Sequence, residues 1–292
     1  MPYARTTDGL RLYYEAHGEG TPLVLAYGVG GNADMWNTNA PELARHHRVI
    51  LWEPRGHARS DSPEDTARYS LRRWALDLRD VLDHLGIRRA HVGGLSLGGG
   101  IATRFTLLHP RRVRSLIVTN SSSATGVPMS RESIAMRATS LALALTKGMD
   151  AVAEYLMNAN PNLTARVALD PGAKAEFYEE YRRLNPIGYA NSLIALLARD
   201  PIASELPRIR VPTLLIGGDR DPSLRPMRVM HRRVRGSKLV VLSPASHFAN
   251  RDQPAAWNRA VLEFLRAHDQ TGRRRADAAR PSKARGDHHA GP

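Results

Sequence analysis

The 292-residue chain contains no cysteine. That absence excludes disulfides, thiolate metal sites, iron–sulfur clusters and a cysteine nucleophile together, so any nucleophile must be an oxygen or a nitrogen. No stretch approaches the ~18 consecutive apolar residues of a membrane span, and Met1 to Gly18 lack the charged-then-apolar layout of a secretory signal. A cytoplasmic protein with no membrane partner is the expectation. Lysine is scarce as well: 38 of the 42 basic residues are arginine. The formal charge of +14 could advertise nucleic acid or another anionic surface. Yet the arginines are scattered as pairs such as Arg72/Arg73, Arg111/Arg112 and Arg232/Arg233, without forming one stripe. Arginine over lysine beside abundant alanine and glycine fits a GC-rich coding sequence, and this argues against a nucleic-acid partner. With 42% hydrophobic and 24% charged residues, the composition is that of an ordinary globular protein.

Short apolar runs recur at Leu23–Ala26, Val49–Trp52, Ala90–Gly94, Leu116–Thr119, Thr213–Gly217 and Leu239–Leu242, separated by segments with helical spacing. This alternation predicts an α/β protein with a mostly parallel sheet covered on both faces. Leu10–Ala16 reads as an antiparallel edge strand. The clearest helix runs from Leu71 to Leu85, with Ser70 as N-cap and Gly86 as its stop. Leu97–Leu108 and Ala255–His268 read as further helices. From Thr125 to Pro207 the alternation ceases, and three or four helices are expected, around Arg131–Thr146, Met149–Asn158, Gly172–Leu184 and Ile187–Ala198. The predicted organisation is a core domain in two parts, 1–124 and 208–268, with a helical lid insertion over 125–207. The segment 269–292 is rich in arginine and nearly devoid of large apolar residues, so it reads as a disordered basic tail.

Gly94-Leu95-Ser96-Leu97-Gly98 follows one of these runs and opens a helix. In such a strand–turn–helix setting a serine hydroxyl is exposed on a tight turn, flanked by glycines because side chains there would collide. A serine hydroxyl needs a base to take its proton, and the base needs an acid to fix its tautomer. Among the histidines, His247 lies in a loop after a late strand and before the final helix. For the acid, Thr213–Gly218 runs into Asp219-Arg220-Asp221-Pro222, which leaves Asp219 and Asp221. A rival reading exists for Gly28-x-Gly30-x-x-Ala33 with Glu53 at the next strand end, which imitates a dinucleotide fingerprint. Pro41 would break the long helix that must follow those glycines.

Taken with Tyr27-Gly28-Val29-Gly30, Glu53-Pro54-Arg55-Gly56-His57-Ala58-Arg59-Ser60, Gly218-Asp219-Arg220-Asp221 and Ser246-His247 followed by Gln253-Pro254, the serine motif resembles the α/β-hydrolase fold family from about Thr7 to His268. The resemblance implies an eight-stranded, mostly parallel sheet with helices on both faces and an inserted helical lid. It also implies a Ser96–His247–Asp221 triad, since Gly-x-x-Asp selects Asp221 over Asp219, and an oxyanion hole made by the backbone N–H groups of Val29 and Leu97. The insertion and the Tyr-Gly loop resemble enol-lactonases, cofactor-free haloperoxidases and small esterases. Tyr27 stands for the usual histidine, Glu53 for aspartate, and Ala58 and Ser246 for glycines, but no triad group is lost. The expected activity is hydrolysis of a small carboxylic ester or lactone through an acyl-enzyme, with no cofactor and no metal. The alternative is a non-hydrolytic or perhydrolytic protein of the same fold, such as a haloperoxidase, a cyclase or a binding protein. Nothing in the sequence sets an oligomeric state.

Overall fold

A computed structural model describes residues 2–123, 125–198 and 202–278. Eight strands form one sheet: β1 (Tyr3–Arg5), β2 (Arg11–His17), β3 (Pro22–Ala26), β4 (Arg48–Trp52), β5 (Ala90–Leu95), β6 (Val113–Thr119), β7 (Thr213–Gly218) and β8 (Lys238–Leu242). Their spatial order is β1-β2-β4-β3-β5-β6-β7-β8. β1 and β2 join antiparallel at one edge, and β4 through β8 run parallel with β3. This is the α/β-hydrolase architecture, and the fold expected from the apolar runs is present. The three-residue β1 is an addition, too short to show as an apolar run.

The parallel strands β3 to β7 are buried on both faces, which explains their apolar sequences. On one face pack α2 (Leu71–His84), α3 (Leu97–Leu108) and α9 (Leu224–Arg233), contributing Trp74, Ile101, Phe105, Met227 and Met230 to one core cluster. On the other face α1 (Ala40–Ala44) and α11 (Pro254–Ala278) contribute Leu43, Trp257, Val261 and Leu265. α2 shows how local signals set an element. The Ser70 hydroxyl accepts from Arg73 N–H at 3.0 Å, Leu71, Trp74, Ala75, Leu78, Val81 and Leu82 form its buried stripe, and Gly86 follows at φ +66°.

Between β6 and β7 the described residues form five α-helices rather than three or four: α4 (Arg131–Lys147), α5 (Met149–Ala159), α6 (Pro161–Leu169), α7 (Ala173–Arg182) and α8 (Pro186–Ala198). The additional one, α6, begins at Asn160-Pro161, where the Asn160 side chain accepts from Asn162 N–H at 3.0 Å. These helices bury their own cluster, including Val152, Leu156, Phe177 and Tyr181, and Val29 and Phe248 of the core pack against it. The short helix α10 (Ala249–Asp252) faces this insertion through ion pairs.

The segment expected to be a disordered tail requires a correction at its start. α11 continues to Ala278, and the Asp269 carboxylate bonds to His91 Nε2 at 2.9 Å and to His47 Nε2 at 3.0 Å. Asp269 therefore fastens the helix to β5 and to the residue before β4. Residues 279–292 lie outside the described residues.

Candidate active site

Ser96 sits between β5 and α3 with φ +55° and ψ −116°, a conformation that costs a non-glycine residue on the order of 1–3 kcal/mol. The surroundings enforce it. Ser96 N–H donates to Thr119 O at 3.0 Å, Gly98 N–H donates to Tyr27 O at 3.0 Å, and the Ser121 hydroxyl donates to Ser96 O at 2.6 Å. A Cβ on Gly98 would stand 2.2 Å from Ala26 O, and one on Gly28 would stand 2.9 Å from Ser96 Cβ. Gly98 is thus demanded by the approach of the β3 backbone, and Gly28 by the Ser96 side chain itself.

The histidine and the acid meet at the ends of β7 and β8. His247 Nδ1 lies 2.9 Å from Asp221 Oδ2. Asp221 is buried, and its other donors are Ser223 N–H at 3.0 Å and the Ser223 hydroxyl. Burial works against its charge, but the His247 ring and the Ser223 donors outweigh burial and hold the carboxyl below its ordinary range. With Nδ1 donating to the carboxylate, Nε2 is left as the acceptor. Asp219 is committed elsewhere: it accepts from the Ser243 hydroxyl at 2.6 Å and Ala245 N–H at 2.8 Å, tying the loop after β8.

Ser96, Asp221 and His247 line one cavity of about 460 Å³, together with Gly28, Val29 and Gly30 of the loop after β3. Among the described residues the Ser96 hydroxyl makes no hydrogen bond, and it shares the cavity wall with the His247 ring. Leu97 is the first residue of α3, so its N–H has no partner within the helix. Val29 N–H likewise donates to no described residue. Glu53 is no ribose ligand: it accepts from Ala33 N–H at 3.1 Å and Arg59 N–H at 2.7 Å, bracing the glycine loop. The 3-10 turn Ala33–Trp36 and the five-residue α1 follow that loop, in place of the long helix that a dinucleotide site requires directly after its glycines.

Two positioning groups lie outside the sequence motifs. Asn120, at the end of β6 with φ +43°, donates to Ser246 O at 2.9 Å and His247 O at 2.8 Å and accepts from Gly218 N–H at 2.8 Å. It clamps the histidine loop to β7. Asp252 accepts from both Ser246 N–H (2.7 Å) and the Ser246 hydroxyl (2.6 Å), and Arg166 of α6 pairs with it at 2.8 Å. Ser246, which replaces the family's glycine, is therefore a loop anchor. Tyr27, which replaces the family's histidine, is buried and donates to Asn250 Oδ1 at 3.1 Å, while Asn250 joins Asn39 at 2.9 Å. Its hydroxyl stiffens the floor beneath the glycine loop.

Residues 21–254 match the model of the alpha/beta hydrolase fold family. The chain belongs to the α/β-hydrolase fold family. It is 32% identical over 267 residues, covering 87% of this chain and 96% of the other, to a candidate carbamate hydrolase named RutD of Stutzerimonas stutzeri. The RutD relative of Azorhizobium caulinodans is 43% identical over 120 residues, which span 41% of this chain and 44% of that protein. Among solved structures, the enol-lactonase of Burkholderia xenovorans LB400 superposes with a TM-score of 0.80 at 27% identity, over 90% of this chain and 99% of that one. Relatives of this α/β hydrolase thus include proteins named for carbamate and lactone hydrolysis. No helix among the described residues is long and apolar enough to cross a membrane.

Proposed function

We propose that this α/β hydrolase cleaves a small carboxylic ester or lactone by acyl transfer through Ser96. The observation that carries this reading is the 2.9 Å contact between His247 Nδ1 and Asp221 on the wall of the cavity that also exposes Ser96. His247 Nε2 takes the proton as Ser96 Oγ attacks the carbonyl carbon, and the resulting imidazolium is stabilised by Asp221. The oxyanion is held by Val29 and Leu97 N–H, the second at a helix N-terminus where the local dipole favours negative charge. His247 then protonates the leaving oxygen, takes a proton from water, and the acyl-enzyme is hydrolysed. Residues 125–207 act as the lid, since α4, α5, α7 and α8 all contribute side chains to the cavity wall. Their apolar lining excludes competing water from the substrate.

The test is turnover of short p-nitrophenyl esters together with labelling by a fluorophosphonate. Wild type turns over and is labelled at Ser96, whereas Ser96→Ala and His247→Ala lose turnover on the order of 10³-fold or more. Equal turnover by wild type and Ser96→Ala overturns the mechanism. Halide-dependent peroxide chemistry without ester hydrolysis would favour the perhydrolytic alternative.

A further inference from the structure

Arg137, on α4, lines the cavity that holds Ser96. Its described contacts are confined to its own helix: Nη1 donates to Ser133 O at 2.9 Å and also touches the Ser133 hydroxyl. It forms no ion pair among the described residues. Nor can the cavity's own carboxylates neutralise it. Asp221 is bound to His247 and Ser223, and Glu132, exposed in the first turn of α4, forms no ion pair with Arg137 among the described residues. Two phenols lie near enough to feel the Arg137 charge, those of Tyr181 and Tyr189. Both are buried. Burial pushes Tyr189 up to about 12 and holds Tyr181 well above its ordinary value, so each remains a neutral hydroxyl. Burial also presses the Arg137 pKa below its ordinary value, although a guanidinium stays charged. A half-buried arginine in a cavity wall, beside neutral phenols and without an ion pair among the described residues, is a cation with room for an anion.

We propose that Arg137 anchors a carboxylate carried by the substrate, so that the molecule bridges the cavity from the insertion wall to Ser96 on the core wall. This deepens the ester or lactone reading and rests on it. The chemistry favours a single carboxylate over a phosphate. With Nη1 engaged by Ser133, the remaining Nε–Nη2 edge of the guanidinium matches one planar carboxylate, whereas a dianion would call for a second cation. The other lining arginine, Arg225, is exposed at the mouth. Tyr181 connects the two ends of the bridge: its hydroxyl lies 2.7 Å from where a Cβ on Gly30 would be, next to the proposed oxyanion donor Val29, and its ring meets that of Tyr189 edge to face at 5.8 Å. The phenols line the path between anchor and nucleophile without competing for the anion.

The experiment uses the full chain in two arms. In the first, succinate, glutarate and adipate are titrated calorimetrically into Ser96→Ala, and into Ser96→Ala carrying Arg137→Met, Arg137→Gln or Arg137→Lys, with folding checked by far-UV circular dichroism. At least one diacid binds, Arg137→Met and Arg137→Gln weaken it roughly 10- to 100-fold, and Arg137→Lys retains part of the affinity. No binding to any diacid, equal binding by all variants, or tighter binding of inorganic phosphate than of any diacid overturns the proposal. In the second arm, kcat/KM is measured for mono-p-nitrophenyl adipate and for p-nitrophenyl hexanoate. The ratio of the two falls at least tenfold in Arg137→Met, mainly through KM, and an unchanged ratio overturns the proposal. Arg137-dependent diacid binding without ester turnover would leave the anion site standing and overturn the hydrolase reading instead.

Discussion

At the residue scale, two carboxylates two positions apart have opposite fates, and the difference is set by what donates to each. Asp219 receives the Ser243 hydroxyl and Ala245 N–H and closes a loop; Asp221 receives the His247 ring and the Ser223 donors. Asp221→Asn removes the charge that fixes the imidazole tautomer and stabilises imidazolium, so kcat should fall by about 10⁴-fold. Asp219→Asn should stay within roughly tenfold of wild type, because its loss is felt through the loop. Measuring kcat for both variants on one ester checks this, and the reverse ranking would move the acid to Asp219. In the sequence Asp221 was singled out only by the resemblance of Gly-x-x-Asp to the family's motif, and in the structure it is the carboxylate that contacts His247. Arg137 carries no such mark. One arginine among 38 becomes distinctive only when the fold leaves it, among the described residues, without a carboxylate, and that depends on neighbours far away in the chain. Asn120 was equally hidden, since an amide at a strand end reads as a turn residue until its contacts with Ser246 and His247 are known.

At the scale of elements, the insertion is fastened to the histidine loop by charge pairs of opposite polarity along α10. Arg251 meets Glu180 of α7 at 3.1 Å and also pairs with Glu176, and Asp252 meets Arg166 of α6 at 2.8 Å. The Asp252 side chain is fully buried and Arg166 nearly so, so removing the cation strands a buried carboxylate. Arg166→Met should therefore destabilise the protein by about 3 kcal/mol, read from urea unfolding. Combining it with Asp252→Asn should cost less than the sum of the single changes by about 1 kcal/mol or more, and strict additivity would disprove the coupling. Most elements were legible from sequence because a doubly covered sheet writes continuous apolar runs and its helices write stripes. The misses have physical causes. β1 has three residues, too few for a pattern. Asn160-Pro161 serves a turn as readily as a helix start, which concealed α6. Asp269 lies at the edge of an arginine-rich segment, where composition predicts disorder, although its two histidine partners come from 178 and 222 positions earlier.

For the whole molecule, the response of stability to pH follows from histidines that the fold keeps neutral. His57 is buried against Trp74. Its Nδ1 donates to Arg55 O at 3.1 Å, and its Nε2 is buried with no hydrogen-bond partner. A second proton would have to enter at Nε2, in a place that offers it nothing, and burial accordingly depresses the pKa from 6.5 to about 4. Burial likewise lowers His91, although Asp269 opposes the shift. A depressed histidine is neutral in the native state while the unfolded chain binds a proton below about pH 6.5. The unfolded state therefore gains as pH falls, and the stability conferred by a neutral His57 is complete above pH 6.5 and drains away on the descent to about pH 4. Over that window the His57 contribution amounts to about 3 kcal/mol. His57→Gln, which keeps a donor toward Arg55 O but cannot titrate, should lower stability at pH 7.5 through imperfect packing and yet flatten the decline toward pH 4. Urea unfolding of both proteins at half-unit pH steps gives the comparison. Parallel curves across the window would mean that His57 is charged in the native state or stays neutral in the unfolded one, and the first alternative would require a partner for Nε2 that the packing around Trp74 does not provide.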